Sequence, residues 1–135
     1  MARQPGAGSS AGQRTAVQAA VLTGAALILA TAVIHLHLWL NGYRHVPRLG
    51  RLFLAQSIAG FALAPAIAVT RRSASSLIGA VYMGASAGGL ILSATVGFVG
   101  IHDSLGVPWA GWALGTELAG LVLLGAAGLA VAWRQ

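Results

Sequence analysis

AVLTGAALILATAVIHLHLWLNGY (Ala20–Tyr43) reads as a segment soluble in oil until His35 and His37 interrupt it near its end. The apolar run reaches back to Thr15 and forward to Leu40. That is far longer than the ~7–15 apolar residues of a signal-peptide core. It is long enough to cross the ~30 Å hydrocarbon layer at ~1.5 Å per residue. We therefore read 15–40 as a retained membrane span.

The same reading applies further along the chain. Leu52–Thr70, Leu77–Ile101 and Ala110–Trp133 are apolar runs of spanning length. Only a few residues join them, NGYRHVPRLGR, RRSASS and HDSLGVPW. Short links force neighbouring helices antiparallel, so the expected fold is all-α, a transmembrane up-down four-helix bundle. Residues 15–135 form its single domain. The preceding MARQPGAGSSAGQR (1–14) has no apolar period and is expected to be a disordered cytoplasmic tail.

Composition points the same way. Of 135 residues, 57% are hydrophobic and only 7% charged, where a soluble domain carries roughly a quarter charged. All eight basic residues are arginines, against Asp103 and Glu117, for a net charge of +6. The arginines fall in the gaps between apolar runs instead of forming a stripe or arm, which argues against nucleic acid as a partner and for lipid headgroups. With no cysteine, disulfides and thiolate metal sites are excluded. Five arginines (Arg3, Arg14, Arg71, Arg72, Arg134) fall on one side of the spans and Arg44, Arg48 and Arg51 on the other. The excess favours both termini in the cytoplasm, and arginine without lysine beside abundant Ala and Gly suggests GC-rich bacterial coding, hence a bacterial plasma membrane. Trp39, Tyr43, Trp109 and Trp112 gather at one boundary and Trp133 marks the other, as an aromatic belt does. Gly84-xxx-Gly88, Ser93-xxx-Gly97 and Gly111-xxx-Gly115 are small-xxx-small pairs, suited to packing inside the bundle, to a homo-oligomer or to a partner membrane protein.

The polar residues inside the spans carry what functional information there is. His35 and His37 are about 200° apart around a helix, so only one can face the bundle interior. His35 lies on the order of 8 Å below the boundary and Glu117 on the order of 10 Å below the same one. Gln56, Ser57, Ser93, Thr95, His102 and Asp103 approach that level, while Gln18, Thr23 and Tyr82 fall in the other, nearly apolar half. An ionisable group in a span is costly, about 2.5–3.5 kcal/mol on insertion scales, and usually faces inward with a partner. Histidine is the natural partner for Glu117, and Arg44 or Arg51 could reach down from the loop.

Several chemistries fit. A hydrogen-bonded His–Glu pin between helices is one. A ligand pocket lined by His35, Trp39, Tyr43, Thr95 and Glu117, with Arg44 at its mouth, is another. His35, His102 and Glu117 compose a His2Glu set for a divalent metal. Bis-histidine haem through His35 or His37 and His102 would place one ligand at a helix end.

HLHLWLNGYRHVPRLGRLFLAQSIAGF (His35–Phe61) resembles a group of small bacterial four-span integral membrane proteins. These carry an HLxLW-like helix end, then GYR, a Pro-and-Gly turn and an LFL start to the second helix. LSATVGFVGIHDSLG (Leu92–Gly106) and Glu117 fit the later part of their pattern, while His37 and Arg48 depart from it. The resemblance implies four-span topology and marks His35, Trp39, Tyr43, Arg44, Pro47, Thr95 and Glu117. It implies no reaction. The chain is also similar in size and span number to DoxX-like membrane proteins, without a shared motif. The expectation is a small accessory or ligand-binding membrane protein with a polar pocket in the outer half of the bilayer. Its rivals are a redox or metal-dependent subunit using metal, haem or quinone there, and a proton-coupled transporter with Glu117 as carrier.

Overall fold

The computed structural model describes residues 7–97 and 109–134, with side chains from Ser10 onward. Four α-helices make up nearly all of it: α1 (Ala7–Leu40), α2 (Leu49–Thr70), α3 (Ser73–Thr95) and α4 (Ala110–Ala132). A short 3₁₀ turn, Tyr43–His45, lies between α1 and α2. All four helices are long and apolar enough to cross a membrane. The expected four-helix bundle is present.

Boundaries differ most at two helix ends, while α2 and α3 begin a few residues early, at Leu49 and Ser73. Helix α1 begins at Ala7, so Ala7–Arg14, expected in the tail, continue the helix. Extending an existing helix adds one hydrogen bond per residue ordered, which is far easier than nucleating a new one. Helix α3 ends at Thr95 instead of Ile101, and Val96 closes it by donating to Leu92 O. Helix α2 runs through Pro65 without a break, forgoing one backbone bond.

Each helix is apolar nearly all round, yet each buries one narrow stripe. On α1 it runs Val21, Ala25, Ile28, Ala32 and His35, spaced by alternating fours and threes. On α4 it runs Ala110, Ala113, Glu117, Gly120, Leu124 and Ala127. His35 therefore continues the core face of α1, and His37 points out, as their angular separation requires. The exterior is apolar, with Val69 81% and Val81 71% exposed, the pattern of a surface turned to lipid.

Packing is uneven around the ring. Helix α1 lies along α2 and α4, and α4 lies along α3, whereas α2 and α3 barely touch. Only Arg71 and Arg72 separate α2 from α3 in sequence, so these helices are held together at one end and part toward the other. At the joined end Gly79 sits where Ile67, Leu124 and Ile28 converge, with room for no side chain. Gly79→Val should cost about 1–3 kcal/mol by overpacking three buried side chains, read as a lowered Tm in detergent. Close approach uses Gly24, Gly60, Gly79, Gly120 and Gly128. Of the small-xxx-small pairs singled out above, Gly111 and Gly115 are exposed with open space around them, and half-buried Gly88 also has open space beside it.

The turn before α2 is strained. Leu49 N–H bonds to Pro47 O across Arg48, which has φ 69° and ψ −54°, a rare three-residue turn. Glycine tolerates that backbone freely. Arg48→Gly should raise stability by about 0.5–1 kcal/mol, and an unchanged or lower Tm would contradict this account of the turn.

Candidate functional site

A cavity of about 480 Å³ lies where α2 and α3 diverge, within the ~300–1,000 Å³ typical of small-molecule sites. Most of its wall comes from those two helices, with His35 from α1, Tyr43 from the turn and Glu117 from α4. Small residues on the diverging faces, Ala55, Ala59, Ala85 and Gly89, create the space. Because α2 and α3 make so little contact, the cavity opens sideways between them.

Its closed end is polar and joins all four helices. The Gln56 side-chain amide donates to Ser86 Oγ, and the Ser86 hydroxyl donates to Glu117 Oε1. Tyr82 O–H donates to Gln56 O at 2.8 Å. From α1, His35 Nε2 lies 4.0 Å from Glu117 Oε1, an ion-pair separation and too long for a hydrogen bond. His35 Nδ1 is 2.8 Å from Thr31 O. A carbonyl can only accept, so Nδ1 carries the proton, and in the neutral ring Nε2 is left as an acceptor facing Glu117. One level deeper, Thr31 and Thr116 hydroxyls meet at 3.2 Å, crossing from α1 to α4.

Glu117 is 1% exposed, and among the described residues its Oε2 has no hydrogen-bond partner. An unpaired buried oxygen costs about 1–3 kcal/mol, and such exceptions in a folded protein call for an explanation. The aromatic rim is better satisfied. Phe53 meets His35 edge-on at 5.1 Å between ring centres and Tyr43 at the same distance.

Of the residues marked from sequence, His35, Tyr43 and Glu117 come together at this cavity. The others do not. Thr95 is exposed, and its hydroxyl is satisfied by Ile91 O in its own helix at 2.8 Å, so it needs no pocket. Trp39 is half-buried outside the cavity wall. Arg44 is exposed, with Nε donating to His45 Nε2 at 2.9 Å, and does not reach Glu117. His102 and Asp103 lie outside the described residues, so the third member of the His2Glu set is not placed. Among the described residues no three His, Asp or Glu side chains gather at one point. His37 turns away to Trp109, 5.2 Å between ring centres, and to Asn41.

Two important residues escaped the sequence reading. Ser86 is the hydroxyl that bridges Gln56 to Glu117, and Tyr82, expected in the apolar half, belongs to the cavity. Their signal was the period: Tyr82, Ser86, Gly89 and Ser93 recur at threes and fours along one face of α3.

This is a four-helix membrane protein with a laterally open cavity closed by a His–Ser–Glu cluster. No protein-family model, curated protein or solved structure matches the chain.

Proposed function

We propose that this is a multi-pass protein of the bacterial plasma membrane, both termini cytoplasmic, that binds a lipid-soluble ligand with a hydrogen-bonding head. The head docks at Glu117 Oε2 and His35 Nε2, and the apolar remainder lies along the groove between α2 and α3. The observation that carries this reading is the unpaired Glu117 oxygen at the closed end of a cavity that opens sideways. In hydrocarbon a ligand donor reaching that oxygen removes a desolvation cost the empty protein bears alone. A sideways opening suits a ligand that partitions into lipid first. The excess of arginines at the end bearing the chain termini supports the orientation.

The test is organic extraction and mass spectrometry of the detergent-purified protein, with an absorption spectrum and elemental analysis, beside Ala85→Trp. Tryptophan at Ala85 fills the groove from an exposed position on α3. A lipid-soluble species near one per chain, reduced about tenfold or more in Ala85→Trp, is the expected result. An identical extract from both proteins removes the proposal. A Soret band or stoichiometric metal would move the assignment to a redox or metal-dependent subunit.

A second reading, proton-coupled transport with Glu117 as carrier, draws on the Gln56–Ser86–Glu117 chain with His35 beside it. It requires pH-driven flux in proteoliposomes that Glu117→Gln eliminates.

A further inference from the structure

At the opposite end of the bundle, a second cavity of about 310 Å³ lies between α1, the α2–α3 link and the end of α4. Arg14, Arg71 and Arg134 each reach its rim, and each comes from a different part of the chain. Its floor is Val17, Val21 and Val131. We propose that this cavity is a binding site for a phosphate group, supplied by the headgroup of an anionic phospholipid whose acyl chains run along the valine floor.

Three features carry the assignment. First, charge is concentrated without compensation. Among the described residues the single acidic side chain is Glu117, which belongs to the other cavity. Three guanidiniums at one rim repel one another unless an anion sits among them. Arginine's planar fork suits phosphate oxygens in particular. Second, Arg71 is held in place. Its backbone is left-handed, φ 51°, at the position after a helix where glycine is usual. Its Nε donates to Ala68 O at 3.0 Å, which orients the side chain and leaves the two terminal nitrogens for a ligand. Third, the site combines a charged rim with an apolar floor, the division of a phospholipid. Basic pockets between spans are a recurrent way of holding anionic headgroups.

The experiment is native mass spectrometry of the full chain in mild detergent with an equimolar mixture of phosphatidylglycerol and phosphatidylcholine. The wild type should retain one phosphatidylglycerol in preference. Each arginine removed should weaken that preference about fivefold, and Arg14→Gln, Arg71→Gln and Arg134→Gln together on the order of a hundredfold. The control carries the same charge loss at the other end, Arg44→Gln, Arg48→Gln and Arg51→Gln, and should keep the preference. Equal loss in both triple variants would assign the effect to overall charge and overturn the site. Arg71→Gly settles the question of folding, since glycine is at ease in that backbone. A stable Arg71→Gly protein with undiminished preference also overturns the proposal. Millimolar inorganic phosphate that displaces the lipid shows the phosphate to be the recognised group. Displacement without any lipid preference assigns the site to the free anion and rejects the lipid. The outcome is independent of the Glu117 cavity, which lies toward the other end of the helices.

Discussion

Glu117→Gln is expected to release the ligand of the α2–α3 cavity, lowering retention about tenfold or more, while the bundle keeps its stability to within about 1 kcal/mol. The two halves of that expectation have separate causes. Glutamine's side-chain oxygen can still accept the Ser86 hydroxyl, so the chain from Gln56 through Ser86 to α4 survives. What changes is the second position. Oε2, a buried acceptor without a partner, becomes an NH2 that can only donate. A ligand donor that pairs with the carboxyl meets another donor instead, and a site built for one hydrogen bond rejects the reverse strongly. Glu117→Ala separates these effects. It removes the acceptor of Ser86 and opens a hole at the meeting point of four helices, so Tm should fall as well. The measurement is co-purified ligand per chain together with Tm for both variants. A silent Glu117→Gln beside a destabilised Glu117→Ala would reduce the cluster to a pin between helices and defeat the ligand-binding reading.

The second large effect lies at Gly50. A Cβ there would stand 2.5 Å from Tyr43 O and 3.0 Å from Arg44 Cα. Both are backbone atoms of the turn between α1 and α2, so no side chain can swing away. Gly50 is buried, and its N–H bonds to Val46 O at 3.0 Å. Gly50→Ala must therefore push the Tyr43–His45 turn outward, at a cost of about 1–3 kcal/mol. Tyr43 would lose its ring contact with Phe53 and its place in the cavity wall. The expected result is a lower Tm and faster ligand loss together, with the Gln56–Ser86–Glu117 chain intact. Retained ligand in a destabilised Gly50→Ala protein would show that the turn supports the bundle without closing the site.

Much of this protein was legible before any coordinates. Length and hydropathy set four spans, because a segment that crosses hydrocarbon must be long, apolar and internally hydrogen-bonded, and each condition is local in sequence. The helical angle alone put His35 and His37 on opposite sides, and depth alone put His35 level with Glu117. Those inferences needed one helix at a time.

What the tertiary structure decided is which faces meet. In water an apolar stripe marks the buried side of a helix. These helices are apolar all round because lipid covers what protein does not, so that marker is missing. Thr95 was marked and Ser86 was not, yet Thr95 turns outward onto its own helix and Ser86 bridges Gln56 to Glu117. Gly111 and Gly115 made a conspicuous pair, while Gly79 and Gly120 do the packing. Least legible was the parting of α2 and α3, neighbours across a two-residue link. The link sets their direction and joins one end. The gap at the other end follows from α1 and α4 packing on their own partners, and that gap is the cavity.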